Sequence, residues 1–294
     1  MSDGWTGVGG KRVVITGATN GIGLAAAKHL AALGADLAIV ARSPERAAEA
    51  VVQIASASPS GETPDVLIAN VASQAEIRHV AQEIYSRYQR LDVLINNAGA
   101  MYATRRLTSD GVELTWAVNH LAPFALTTML LDLLMASAPA RIITTSSAAH
   151  HGAQIPFDDL NADRSYGTMG YTRYGESKLA NILFTAELAR RLEGTGVTAN
   201  CFHPGFVGTG FNHNNGGLMR AGMWISQLFA RRPEQGAETL VWLADAPEVS
   251  NISGAYFVDK HVARPSAAAR DMDQARRLWR VSEAMLAAPT PGRA

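Results

Sequence analysis

Seven short runs of aliphatic and β-branched residues punctuate the chain, at residues 12–16, 37–40, 66–69, 91–95, 141–145, 197–202 and 255–258. Each is apolar from end to end instead of alternating, the pattern of strands buried on both faces of a parallel sheet. Between them the apolar positions return every three or four residues, so the intervening segments read as helices. One runs over 22–33 and stops at Gly34; another opens at Pro44 and reaches about residue 57. Ser73 caps a third, with Ile77, Val80, Ala81 and Ile84 on one face. A long helix is expected over 111–135 with Pro123 as its kink, and another over 171–192, ended by Gly194. Strand and helix alternation of this kind predicts an α/β fold: a single doubly wound domain, its sheet mainly parallel and seven-stranded, with helices on both faces. Residues 1–10, polar and glycine-rich, read as a flexible arm, 11–286 as the domain and 287–294 as a tail.

Composition narrows the picture by exclusion. The 294 residues are 47% hydrophobic, enough for a sizeable core. Twenty-six basic residues balance 26 acidic ones, so no global field draws in nucleic acid or an anionic membrane. The one cysteine, Cys201, sits in an apolar run and cannot form an intrachain disulfide, which suits a reducing compartment. No apolar stretch reaches 18 residues and the N-terminus has no signal-peptide pattern, so no integral membrane segment and a cytoplasmic location are expected.

The first strand runs into Thr16-Gly17-Ala18-Thr19-Asn20-Gly21-Ile22-Gly23, which opens the first helix. Gly17 permits a tight turn, Gly21 lets backbone approach a diphosphate, and Gly23 lets the helix pack close to the strand. Free N–H groups and the positive end of the helix dipole favour phosphate there. This is a Rossmann-type dinucleotide loop with the spacing G-x-x-x-G-x-G. About twenty residues on, where a carboxylate would hold ribose hydroxyls, stand Ala41 and Arg42, then Arg46. Arginine grips a 2′-phosphate bidentately, so NADP(H) is favoured over NAD(H).

Tyr174 and Lys178 stand four residues apart, on one face of helix 171–192. A nearby ammonium favours phenolate and lowers a tyrosine's pKa from about 10 toward neutrality. A phenol so tuned exchanges a proton with a carbonyl or alcohol oxygen. The spacing alone equally suits two exposed helix residues; the loop and the sheet give it weight.

With that loop in place, the chain resembles the short-chain dehydrogenase/reductase family from Lys11 to about Leu286. In order stand Thr16-Gly-x-x-x-Gly-Ile-Gly23, Asn97-Ala98-Gly99, Asn119, Ser147, Tyr174-x-x-x-Lys178 and Pro204-Gly205. The stretches 146–151, 177–184 and 197–205 are most similar to its retinol-dehydrogenase-like and oxidoreductase-like subgroup. The resemblance implies Tyr174 as general acid in reduction and base in oxidation. It implies Lys178 on the nicotinamide ribose, Ser147 on the substrate oxygen, and Asn119 helping to hold a water that links Lys178 to solvent. Asn97, Ala98 and Gly99 would wall the adenine-ribose side. Asn70 and Val71 would meet the adenine, Asn70 standing where many members have aspartate. Pro204, Gly205, Val207 and Thr209 would contact the nicotinamide, the last two at its carboxamide. The chemistry agrees: an alkoxide-like oxygen develops as hydride moves, and two preplaced hydroxyls stabilise it. Ser146 and His203 read as structural. His150 and His151 lack an accompanying acid or cysteine cluster, so no metal is expected.

Residues 210–232 read as a substrate lid, polar and glycine-rich at first, then apolar through Leu218, Met223, Trp224, Leu228 and Phe229. Such a face suits a lipophilic ketone, aldehyde or alcohol; a helix packed on the core or a subunit contact would look the same. Retinol-dehydrogenase relatives usually carry an N-terminal membrane anchor that this chain does not show, so a soluble enzyme is expected. The reading is an NADP(H)-dependent carbonyl reductase or alcohol dehydrogenase. Its alternative is a catalytically weak NADP-binding sensor or scaffold of the same fold. The family further implies a homodimer or homotetramer, with the helices near Val118 and Ile182 as interface.

Overall fold

The computed structural model describes residues 4–205 and 231–288. In chain order come β1 (Arg12–Thr16), α1 (Gly21–Ala32), β2 (Asp36–Ala41), α2 (Pro44–Ala55), β3 (Asp65–Ile68), α3 (Gln74–Arg87) and β4 (Val93–Asn96). There follow α4 (Leu114–Trp116), a π-turn (Ala117–Leu121), α5 (Ala122–Met129), α6 (Leu131–Ala136), β5 (Ala140–Thr145) and α7 (Tyr171–Arg191). The last elements are β6 (Val197–His203), α8 (Pro233–Asp245), β7 (Tyr256–Val258), β8 (His261–Val262) and α9 (Met272–Ala287). The sheet order is β3-β2-β1-β4-β5-β6-β7-β8. Seven strands run parallel, and an eighth of two residues turns back antiparallel on β7. The order reverses between β1 and β4, the point where doubly wound sheets open a crevice at their carboxyl ends.

Strand side chains alternate between two buried faces. Val13 and Ile15 pack with Ala26, Leu30, Ile54 and Leu240 of α1, α2 and α8. Val14, between them, joins Ile84, Phe124 and Phe184 of α3, α5 and α7 on the other face. Both faces being covered, the strands carry apolar residues on both sides, with polar exceptions such as Asn96, Arg141 and Asn200 satisfied by hydrogen bonds.

The expected helix over 111–135 is broken into pieces. Glu113 caps α4 by accepting from the N–H groups of Thr115 and Trp116. The chain then widens into the π-turn before α5. Pro123 has no N–H, so it cannot close the helical ladder onto the carbonyl of Asn119, four residues earlier. The helix stops at Leu130, not at Pro123. Residues 117–127 are buried throughout, so they show no apolar stripe whose phase could have betrayed the break.

A further expectation gives way. Trp5 and Val8 are buried, not part of a free arm: Trp5 Nε1 donates to the Asp245 carbonyl, and its ring lies under the Arg141 guanidinium at 4.1 Å. The surfaces at Val118 and Ile182 are covered within the chain. Ile182 packs with Leu278 of α9, and Val118 with Ala100 and Tyr102. Among the described residues no helix is long and apolar enough to cross a membrane.

Candidate active site

The glycine loop joins β1 to α1 at the sheet's carboxyl edge. Gly17 has φ 72°, and a Cβ there would lie 2.8 Å from Ala98 Cα. At Gly23 a Cβ would lie 2.1 Å from the Gly17 carbonyl oxygen, so only glycine lets the helix start this close to the strand. Asn20, the N-cap of α1, makes no side-chain cap bond, and the first turn holds no acid. Its N–H groups face the crevice with no carboxylate of that turn beside them. Asn97 fastens the loop, donating through Nδ2 to the carbonyls of Thr16 (3.1 Å) and Gly17 (3.2 Å). Thr16 Oγ1 accepts the N–H groups of Asn97 and Ala98, both at 3.0 Å. Thr16 thus acts through its side chain as well as its place in the motif.

Arg42 directly follows β2, exposed, with Arg46 in the first turn of α2; neither pairs with a carboxylate among the described residues. Arg42 also acts electrostatically on Tyr102. Asn70 Oδ1 accepts the Ala72 N–H at 3.1 Å. Val71 lines a small apolar hollow with Thr16, Ala98 and Val118.

Across the crevice, Tyr174 stands in the first turns of α7 and Ser147 just past β5. The Ser147 hydroxyl hydrogen-bonds to the Tyr174 phenol. Lys178 Nζ lies 5.5 Å from the Tyr174 ring centroid and donates to the Thr145 carbonyl at 3.1 Å. Burial dominates both groups. It pushes Tyr174 up to about 12, with the Ser147 bond pulling the other way, and pushes Lys178 down to about 8. The expected lowering of Tyr174 by Lys178 is therefore not what this arrangement gives: desolvation of the phenol is the largest influence on it and raises its pKa.

Asn119 lies in the π-turn, fully buried. Its Oδ1 accepts the Ala100 N–H (2.8 Å), and its Nδ2 donates to the Ala100 carbonyl (2.9 Å) and to Ser177 Oγ (2.9 Å). Ser177 passes the contact on to the Tyr174 carbonyl at 2.7 Å. The side chain is thus committed to holding the 100-loop against α7. Asn181, three residues past Lys178 on the same helix face, donates to the same Thr145 carbonyl at 3.1 Å. Its amide also interacts with the buried His120 ring, although Asn181 Oδ1 and His120 Nδ1 fall outside ordinary hydrogen-bond geometry. Burial pushes His120 down to about 3, so the ring is neutral, and Nε2 sits 2.9 Å from Ser282 Oγ on α9.

Several expectations find a different place. Ser146 is structural as read, donating to the Lys178 carbonyl at 2.8 Å. His150 accepts the Ser266 N–H at Nε2 and so donates from Nδ1 to the Ser147 carbonyl at 2.7 Å. It props the residue that bears the Ser147 hydroxyl, a role no motif announced. Burial holds His203 at about 4. Pro204 and Gly205 follow β6, whereas Val207, Thr209 and all of the expected 210–232 lid but its last two residues lie outside the described residues. Among the described residues no group of three metal-ligating side chains occurs. The Thr145 carbonyl escaped sequence reading because a backbone group leaves no signature. Asn181 could have been found from its spacing to Lys178.

Comparison with known proteins gives the same frame. The short chain dehydrogenase family model matches residues 11–159. Human retinol dehydrogenase 14 is 43% identical over 292 residues, covering 94% of this chain and 86% of the relative. A Streptomyces sp. (strain C5) protein that carries the name daunorubicin C-13 ketoreductase is 39% identical over 278 residues, covering 95% and 93%. The crystal structure of a short chain dehydrogenase from Burkholderia cenocepacia J2315 in complex with NADP superposes with a TM-score of 0.68 at 30% identity, over 85% of this chain and 96% of that one. A chain with these relatives is an oxidoreductase acting on CH–OH or C=O groups. Glycine loop, tyrosine–lysine helix and family match converge: the chain belongs to the short-chain dehydrogenase/reductase family, on its retinol-dehydrogenase-like side.

Proposed function

We propose that this chain is an NADP(H)-dependent oxidoreductase that interconverts a lipophilic ketone or aldehyde and its alcohol, with Tyr174 as general acid in reduction and general base in oxidation. The observation that carries the reading is the meeting of Ser147, Tyr174 and Lys178 at the carboxyl edge of the sheet, beside a loop in which a Cβ at Gly23 would collide with backbone at 2.1 Å. That loop fits a dinucleotide: the bare N-terminus of α1 would take the diphosphate, Asn70 and Val71 the adenine, and unpaired Arg42 with Arg46 a 2′-phosphate. Asn97, Ala98 and Gly99 would back the ribose, with Pro204, Gly205, Val207 and Thr209 at the nicotinamide end. A bound nicotinamide supplies the hydride.

The chain's own residues handle the oxygen. Ser147 Oγ–H and Tyr174 Oη–H converge on it, and the oxygen takes the tyrosine's proton as negative charge develops. A phenol held near 12 is protonated at neutral pH, the form that reduction needs. Lys178, an ammonium below its value of about 8, stands ready to favour the phenolate that remains. Asn119 would help to hold the water through which the proton is replaced. Met169 and Tyr171, at the N-terminal end of α7, are 51% and 62% exposed and offer apolar surface to a lipophilic substrate.

Tyr174→Phe tests the assignment. It should bind NADPH as the parent does by fluorescence titration, while carbonyl reduction falls about 100-fold or more. Turnover at the parent rate would refute the role.

A further inference from the structure

Arg173 directly precedes Tyr174, yet its side chain points into the protein and meets Glu113, sixty residues away in sequence. Neither side chain has any exposed surface. Arg173 Nε donates to Glu113 Oε2 at 2.9 Å, Nη1 to Glu176 Oε2 at 2.9 Å, and Nη2 to the Leu160 carbonyl. The guanidinium plane also lies over the Trp116 ring, 4.6 Å from its centroid. Glu113 accepts the N–H groups of Thr115 and Trp116, both at 2.8 Å, and the Tyr166 hydroxyl at 3.3 Å. Tyr166 donates in turn to the Tyr102 carbonyl at 2.9 Å. That carbonyl presses on Gly170, where a Cβ would come within 1.9 Å.

Gly170 is the N-cap of α7, left-handed at φ 75°, and it provides no side-chain cap; nor does the first turn contain an acid. A helix end with unsatisfied N–H groups and no cap is prone to fray. The residue that must not move, Tyr174, stands in that part of the helix. The buried pair occupies the place of a cap: through Arg173, Tyr166 and Gly170 it clamps the 102–116 segment and the 160–166 segment to the start of α7. A buried ion pair is weak evidence for stability, because apolar residues of similar volume often replace one at no loss. What such a pair supplies is a fixed geometry.

We infer that Glu113 and Arg173 are a positioning pair for the reaction, holding the N-terminal turns of α7 so that Tyr174 meets Ser147 at the substrate oxygen. The inference rests on Tyr174 being the proton donor. The paired variant Glu113→Met/Arg173→Met removes both charges together. It should fold with a lowered unfolding temperature, because Glu176, the Leu160 carbonyl and the N–H groups of Thr115 and Trp116 lose their partners, and bind NADPH with the same dissociation constant, while kcat falls about 10- to 100-fold, the range for misplacement of about 1 Å. Parent-level kcat in this variant overturns the positioning role. Arg173→Lys serves where the double variant fails to fold. It keeps the cation but cannot reach Glu113, Glu176 and the Leu160 carbonyl together. It too should lose kcat at unchanged NADPH affinity, and parent kcat would overturn the inference. Tyr174→Phe, run alongside, separates the two claims. If it retains turnover, the Tyr174 reading fails and this inference with it. If it is inactive while the paired variant works normally, only the positioning role fails.

Discussion

Lys178→Met should make the protein more stable and inactive. The Lys178 side chain is 2% exposed and has no carboxylate partner among the described residues; the Thr145 carbonyl is its acceptor. Desolvation lowers its pKa from 10.5 to about 8. The folded-state value lies below the unfolded one, so between about pH 8 and 10.5 the unfolded chain holds a proton the folded chain has released. Stability from this group therefore rises as pH climbs through that window, and below it the folded protein carries a strained ammonium. At about 1.4 kcal/mol per pH unit, the fall from 10.5 to about 8 is a penalty of about 3 kcal/mol at pH 7. Methionine keeps the apolar stem and removes the charge. The lost hydrogen bond costs about 1 kcal/mol, moderated because Asn181 still donates to that carbonyl. The net expectation at pH 7 is a gain of about 1–3 kcal/mol.

Urea unfolding at pH 7 and pH 10.5, without added nucleotide, reads the effect. The variant's advantage should be largest at pH 7 and shrink by about 3 kcal/mol by pH 10.5. Other groups titrate nearby: burial holds the Cys201 thiol up at about 12, and its share of stability falls as pH rises above 9. Subtracting parent from variant cancels that contribution. A Lys178→Met protein less stable than the parent at pH 7, or a difference that does not change with pH, would refute the reasoning.

Two further outcomes follow from the cofactor side. Arg42→Ala should raise the KM for NADPH about ten-fold, the loss expected for a charge-assisted hydrogen bond, and leave the KM for NADH near the parent value; steady-state titrations with both nucleotides decide it, and an equal effect on the two would remove Arg42 from the phosphate site. Gly23→Ala puts a methyl 2.1 Å from the Gly17 carbonyl oxygen. It should cost about 1–3 kcal/mol in thermal unfolding and weaken both nucleotides alike, and normal binding with normal stability would contradict the close-packing argument.

The legible parts of this molecule were those where chemistry is local. Strand apolarity, the glycine spacing and the four-residue step from Tyr174 to Lys178 each depend on neighbours in sequence, and the structure has the seven parallel strands in the expected order of appearance. What stayed hidden depends on distant partners. The π-turn around Asn119 lies in a segment buried on all sides, where periodicity carries no phase. Trp5 looked like part of a loose arm because nothing near it in sequence foretells Arg141 and Asp245. The direction of the Tyr174 pKa was misjudged for a related reason: spacing reveals the neighbouring cation but not how much water the fold removes.

Buried charge separates the supporting parts of the fold from the working part. Arg173 is matched by Glu113 and Glu176, and Arg141 meets three backbone carbonyls and Ser250 at the end of α8. In both places the donors are spent within the chain, and the result is rigidity. Lys178 is desolvated as deeply but has one backbone acceptor, and that acceptor is shared with Asn181. An ammonium with donors to spare and no counter-charge destabilises the folded state, which selection for stability alone would remove. Its unspent donors are what a bound ribose and a developing phenolate can use, already oriented by the frame of Asn181, Ser177 and Asn119. The stability that Lys178→Met recovers, with the lost Thr145 hydrogen bond added back, is thus a measure of the free energy that folding gives up to hold an unpaired cation at the site.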